Sequence, residues 1–91
     1  MKRVLLPRAG RGAVVVPSVL SADMLALGRS VQAVRKAGSR WIQVDVMDGH
    51  FVPNISFGPA VVKALHERFP DLLLDAHLMV SRPQNFLAPF L

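Results

Sequence analysis

The sequence predicts an α/β fold built on a parallel sheet, and three observations carry that prediction. Strand-like and helix-like stretches alternate from Val14 onward in the order strand, helix, strand, helix, strand. The strand-like stretches are apolar runs broken by only a few polar residues, as in strands covered on both faces. The helix-like stretches lie between cap and breaker residues, and connections of this kind form right-handed crossovers between parallel strands.

The first strand is read from Val14 to Leu20, where β-branched residues dominate and helical spacing is missing. Pro17 inside that run lacks an amide donor, so the strand is expected to end near it. Asp23 is the expected N-cap of the first helix. Leu27, Val31 and Val34 follow at helical spacing, and Gly38 is placed to end it. The second strand is Trp41 to Met47, closed by Asp48-Gly49 and a loop through Asn54 that is too long for a plain hairpin. Pro59 opens the second helix, Val62, Leu65 and Phe69 mark its apolar stripe, and Pro70 stops it. Leu72 to Val80 is the third strand, and Ser81 with Pro83 begins another helix.

Ninety-one residues with 52% hydrophobic side chains are enough for one small domain or a piece of one. There is no cysteine, so any metal must be bound through nitrogen or oxygen. The net charge is +5, but Lys2, Arg3, Arg8 and Arg11 carry most of the excess, and Val16 to Leu91 holds seven Lys/Arg against six Asp/Glu. That near balance leaves no basic stripe and argues against nucleic acid as a partner. The longest apolar stretches are far shorter than the roughly 20 residues of a membrane span, so no membrane partner is expected. Residues 1–13 read as a loose basic N-terminal extension, too short and too poor in Ser for a transit peptide.

The polar residues inside the strands need a reason. Alternation places Gln43, Asp45 and Met47 on one face of the second strand and Ile42, Val44 and Val46 on the other. It likewise groups Asp75, His77 and Met79 on one face of the third strand, against Leu74, Ala76, Leu78 and Val80. In a barrel the polar face would point into the lumen near its C-terminal mouth, where barrel active sites sit. Asp45 and His77 could then ligate zinc, iron or manganese. The alternative is that Asp45 and Asp75 cap nearby amides and His77 is a hydrogen-bonded core histidine. Met47 and Met79 could shield a reactive intermediate or simply fill space. Asp48, in turn chemistry with Gly49, and His50 and His66 are assigned structural or solvated roles.

Three stretches carry a family resemblance. Pro17-Ser18-Val19-Leu20-Ser21-Ala22-Asp23, Val44 to Asn54 (VDVMDGHFVPN), and Asp75-Ala76-His77-Leu78-Met79-Val80 with Arg82-Pro83 resemble the signature segments of ribulose-phosphate 3-epimerases in order and spacing. The likeness covers about Val14 to Leu91. It implies the N-terminal βαβαβ portion, strands one to three, of a (β/α)₈ TIM barrel of the ribulose-phosphate-binding type over residues 14–91, incomplete as a barrel because such folds typically run to about 250 residues. It also implies an isomerase of the pentose phosphate pathway that interconverts D-ribulose 5-phosphate and D-xylulose 5-phosphate through an enediolate. The expected cofactor is a divalent cation (zinc, iron, manganese or cobalt) and the expected location is the cytoplasm.

By the resemblance, Asp45 is a metal ligand and catalytic acid/base, and His77 is a second metal ligand lying against substrate. Ser18 is a substrate-binding hydroxyl, and Met47 and Met79 line the lumen. Gln43 stands where the family motif usually has a metal-binding histidine, and it offers only a neutral carbonyl oxygen. Asp75 is a candidate for supporting the ligands from behind. The family's second acid/base aspartate and its phosphate-binding loops have no counterpart in this sequence. Two other readings share these residues: an epimerase for another ketose phosphate, such as allulose 6-phosphate, and a noncatalytic interaction module. An open sheet edge and apolar face would invite self-association, making a homo-oligomer an expected form.

Overall fold

The computed structural model describes residues 13–90, so the predicted N-terminal extension, apart from Ala13, lies outside the described residues. The chain alternates helix and strand: α1 (Leu27–Lys36), β1 (Trp41–Met47), α2 (Pro59–Arg68), β2 (Leu73–Met79) and a short α3 (Leu87–Phe90). β1 and β2 pair in parallel from Trp41 opposite Leu73 to Met47 opposite Met79. That is the parallel α/β arrangement the alternation predicts, with α2 making the crossover.

Local chemistry sets most of the boundaries. α1 ends in a Schellman motif, in which Gly38 donates to the Arg35 carbonyl and Ser39 to the Val34 carbonyl, both at 3.1 Å. Gly38 has φ of +111°, a backbone conformation that favours glycine. Pro59 occupies the first turn of α2, and the Phe69 amide closes its end on the Leu65 carbonyl at 2.8 Å. Asp23 does act as a cap, but of a 3₁₀ turn, Met24–Ala26, that leads into α1; its Oδ1 accepts from the Leu25 amide at 3.0 Å.

The expected first strand is the main departure. It is an extended segment whose pairing among the described residues is a single parallel bridge between Ser18 and Gln43, with the Gln43 amide donating to the Pro17 carbonyl at 2.9 Å. Pro17 has no amide to return, and the chain turns at once into a 3₁₀ turn, Val19–Ser21, so the ladder cannot lengthen. The segment still reaches the position beside β1 that the first strand was expected to occupy.

The core lies on the apolar face of this small sheet. Ile42, Val44 and Val46 of β1 are buried against α1 and α2 together with Val31, Leu65, Phe69 and Leu72. Arg35 of α1 forms a bidentate ion pair with Asp71 just before β2, with contacts of 2.8 to 3.1 Å. Gly28 gives the Arg68 guanidinium room between the helices, since a Cβ there would lie 2.6 Å from Arg68 Nη1. Among the described residues, no helix is long and apolar enough to cross a membrane.

Candidate active site

The parallel register brings the polar residues of the two strands together. Gln43 lies opposite Asp75, Asp45 opposite His77, and Met47 opposite Met79, so each rung on the polar face pairs two residues the alternation singles out. His77 Nδ1 lies 3.2 Å from Asp45 Oδ1. The other carboxylate oxygen, Oδ2, accepts a hydrogen bond from the Ser18 hydroxyl. Ser18 itself accepts from the Leu20 amide at 3.2 Å, so its own proton is directed at Asp45.

Three consecutive pieces of the sheet thus meet at one carboxylate. Ser18 arrives from the bridge beside β1, Asp45 from β1 and His77 from β2. The side chain of Asp45 is only 12% exposed, while that of His77 is 54% exposed, so the centre is dry on the β1 side and open to solvent on the β2 side. Met47 and Met79 are half-buried on the same face, and Asp75 is exposed. A hollow of about 400 Å³ between the Pro17–Ser18 segment and α1 is lined by Ser18, Val19, Val31 and Ile42, but not by Asp45 or His77. The centre is therefore an open face of the sheet rather than an enclosed pocket.

The donor set suits a divalent cation in part. Two ligands of one ion at metal–ligand distances of about 2.1 Å have donor atoms about 3 Å apart, which matches the approach of His77 Nδ1 to Asp45 Oδ1. Carboxylate oxygen with imidazole nitrogen is an ordinary pair for zinc, iron or manganese. Among the described residues, no group of three His, Cys, Asp or Glu converges. Gln43, two residues before Asp45 on the same face, could add only a neutral amide oxygen.

Two contributors have little signal in the sequence. Ser56 folds back from the loop, donates its hydroxyl to the Asp45 carbonyl and accepts from the Met47 amide at 2.9 Å, so it satisfies both backbone groups flanking Val46. The Ser56 amide adds a bond to the Met47 carbonyl at 3.2 Å. Asp48 does the turn work expected of it, accepting from the His50 amide at 2.8 Å and the Phe51 amide at 2.9 Å through Oδ1. Its Oδ2 also reaches the Ser81 amide beyond β2, at 2.9 Å. These backbone donors, Ser81 first, lower its pKa from the ordinary 3.8 to about 2. His50 is exposed in the loop and His66 is half-buried on α2, away from the pair.

Comparison with known proteins gives one family. A model of the ribulose-phosphate 3 epimerase family matches residues 14–91. The chain is 50% identical over 76 residues to a ribulose-phosphate 3-epimerase of Bacillus subtilis, covering 84% of this chain and 35% of that protein. It is 49% identical over 77 residues to one of Synechocystis, covering 85% of this chain and 33% of that protein. With the chloroplastic ribulose-5-phosphate-3-epimerase of Arabidopsis thaliana the identity is 53% over 78 residues, which are 86% of this chain and 27% of the relative. The chain spans about a third of the length of the curated relatives it matches.

Proposed function

This chain belongs to the ribulose-phosphate 3-epimerase family, and from that membership we propose that it carries one half of an acid/base site that moves the C3 proton of a ketopentose phosphate, D-ribulose 5-phosphate or D-xylulose 5-phosphate. Its α1–β1–α2–β2–α3 order, with the Pro17–Ser18 segment bridged beside β1, fits the N-terminal part of a (β/α)₈ barrel, and residues 14–91, the span the family model matches, would form that portion. The observation that carries the proposal is the junction at Asp45: one oxygen beside the His77 imidazole, the other held by the Ser18 hydroxyl.

The chemistry follows from that junction. Asp45 takes the proton from C3, the electron pair of the broken C–H bond becomes the C2–C3 double bond, and the carbonyl oxygen gains the negative charge of an enediolate. Return of a proton to C3 on the opposite face inverts the carbon, and return on the same face restores it. A divalent cation held by Asp45 and His77 would supply positive charge beside the enediolate oxygens. Ser18 fixes the Asp45 carboxylate by donating to Oδ2 and can pass that hydrogen bond to a sugar hydroxyl as Asp45 becomes protonated. Met47 and Met79, half-buried on the same face, would give the planar intermediate an apolar surface to lie against.

Proton exchange needs only one acid/base group, so it tests this half directly. The chain is incubated in D₂O with Mn²⁺ and D-ribulose 5-phosphate, and the C3 proton signal is followed by NMR. The expected result is loss of the C3 proton signal, slowed by roughly 10²- to 10⁴-fold in Asp45→Asn. No exchange above the buffer rate would overturn the proposal. A second reading, a binding module without catalysis, rests on Gln43 in place of a third imidazole; it predicts that Gln43→His creates exchange that the unsubstituted chain lacks.

A further inference from the structure

The exits of β1 and β2 are joined by a side chain rather than by backbone. Met47 and Met79 form the last rung of the ladder, and one residue beyond Met47 stands Asp48, two residues beyond Met79 stands Ser81. The Asp48 carboxylate spans the gap: Oδ2 receives the Ser81 amide at 2.9 Å, while Oδ1 receives the amides of His50 and Phe51 at 2.8 and 2.9 Å. A group that bonds to both strand exits at once resists their sliding or splaying, and a charged acceptor makes each bond stronger than a neutral one would be.

We propose that Asp48 is a positioning residue for the Asp45–His77 pair, clamping the exits of the two strands that carry the pair so that the imidazole stays against the carboxylate. This inference rests on the acid/base reading of that pair. β2 needs such a clamp because His77 lies on an exposed face, and among the described residues its register and the single 3.2 Å contact with Asp45 Oδ1 hold it there. Loss of the clamp would let the β2 exit fray and open the contact two rungs back, while the rungs nearer Trp41 and Leu73 stayed closed. The lowered pKa of Asp48, to about 2, agrees with a carboxylate held in its charged form by three amides.

Asp48→Asn isolates the cross-strand bond. The amide oxygen of asparagine can still accept from His50 and Phe51, as in an Asx turn, but its NH₂ then faces the Ser81 N–H, donor against donor. Two readouts are taken on the full chain by NMR: the nuclear Overhauser contact between the His77 ring and the Asp45 β-protons, and Mn²⁺ affinity from line broadening at His77. The expected result is a weakened His77–Asp45 contact and about a tenfold loss of Mn²⁺ affinity, with the ladder amides from Trp41 to Val44 as protected as before. An unchanged contact together with a displaced Ser81 amide overturns the inference. If the unsubstituted chain binds no Mn²⁺, the functional reading falls, and the Overhauser comparison alone decides this one. Should Asp48→Asn fail to fold, the scalar coupling across the hydrogen bond between the Ser81 amide nitrogen and the Asp48 carboxylate carbon is measured in the unsubstituted chain; its presence supports the clamp and its absence overturns it.

Discussion

β1 and β2 are each seven residues long, share the same alternation and face one another rung by rung, yet they live in different surroundings. In β1, Ile42 and Val44 are 0% exposed and even Asp45 is 9% exposed. In β2, no residue is fully buried, and Asp75 and His77 are exposed. β1 has the Pro17–Ser18 segment on one side and β2 on the other, while β2 has β1 alone among the described residues. The same pattern of apolar and polar residues therefore gives a dry strand or a wet one according to its neighbours. For the candidate chemistry this matters, because the proposed acid/base sits on the dry strand and its imidazole partner on the wet one.

The largest effect that could break this comparison comes from truncating one apolar residue on each strand. Ile42→Ala removes a side chain with no accessible surface and is expected to cost about 2–5 kcal/mol of stability. Leu78→Ala, on the opposite strand, is expected to cost roughly 1 kcal/mol, since that side chain packs against the core but is only partly buried. Urea unfolding at two protein concentrations measures both. Equal losses would mean that Leu78 is fully covered in solution, and a loss that grows with protein concentration would identify the cover as a second copy of the chain.

Ser56→Ala is the next smaller effect and acts on β1 alone. It leaves the Asp45 carbonyl and the Met47 amide without their shared partner, so a loss of about 1–2 kcal/mol is expected, visible as faster exchange of the Met47 amide. If β2 amides loosened as much as that of Met47, the two strands would be one cooperative unit, and the contrast between them would be one of exposure only.

How much of this was legible in the sequence depends on how far apart the interacting residues lie. β1 reads correctly to its ends because a glycine turn precedes it and Asp48-Gly49 follows it, and α2 because Pro59 opens it. The run Val14 to Leu20 promises more strand than forms, since β-branched residues report a preference for extended backbone and say nothing about whether a partner can bond past a proline. The placement of Asp45 and His77 on one face follows from alternation, and their meeting follows once the strands pair in register. Ser56 to Asp45 spans 11 residues and Asp48 to Ser81 spans 33, and no local pattern encodes such bonds. Gln43 is legible only against the family motif, because alternation gives its face and not the residue that chemistry there would favour.

Acid sharpens the comparison with the smallest effect. β2 is anchored at both ends by carboxylates: Asp71, bonded to Arg35 of α1, stands just before it, and Asp48 holds the Ser81 amide just after it. The Arg35 guanidinium, by hydrogen bonding, keeps Asp71 below its ordinary value of 3.8, and the Ser81, His50 and Phe51 amides bring Asp48 down to about 2. Both groups bind protons more weakly in the folded than in the unfolded chain, so the stability they contribute is complete above pH 3.8 and is lost as pH falls through the folded values. Among the described residues, β1 shares the Asp48 end of this arrangement, while its backbone is bonded to Pro17 on one flank and to Ser56 near its exit. Lowering the pH from 5 to 2 should therefore release the amides of Leu73 and Ser81 before those of Ile42 and Val44, once protection is corrected for the intrinsic pH dependence of exchange. In Asp48→Asn the Ser81 amide should be open already at pH 5 and show no further transition. Simultaneous release of all four amides would mean that acid unfolds the sheet as a whole, and that the two strands differ in exposure without differing in what holds them.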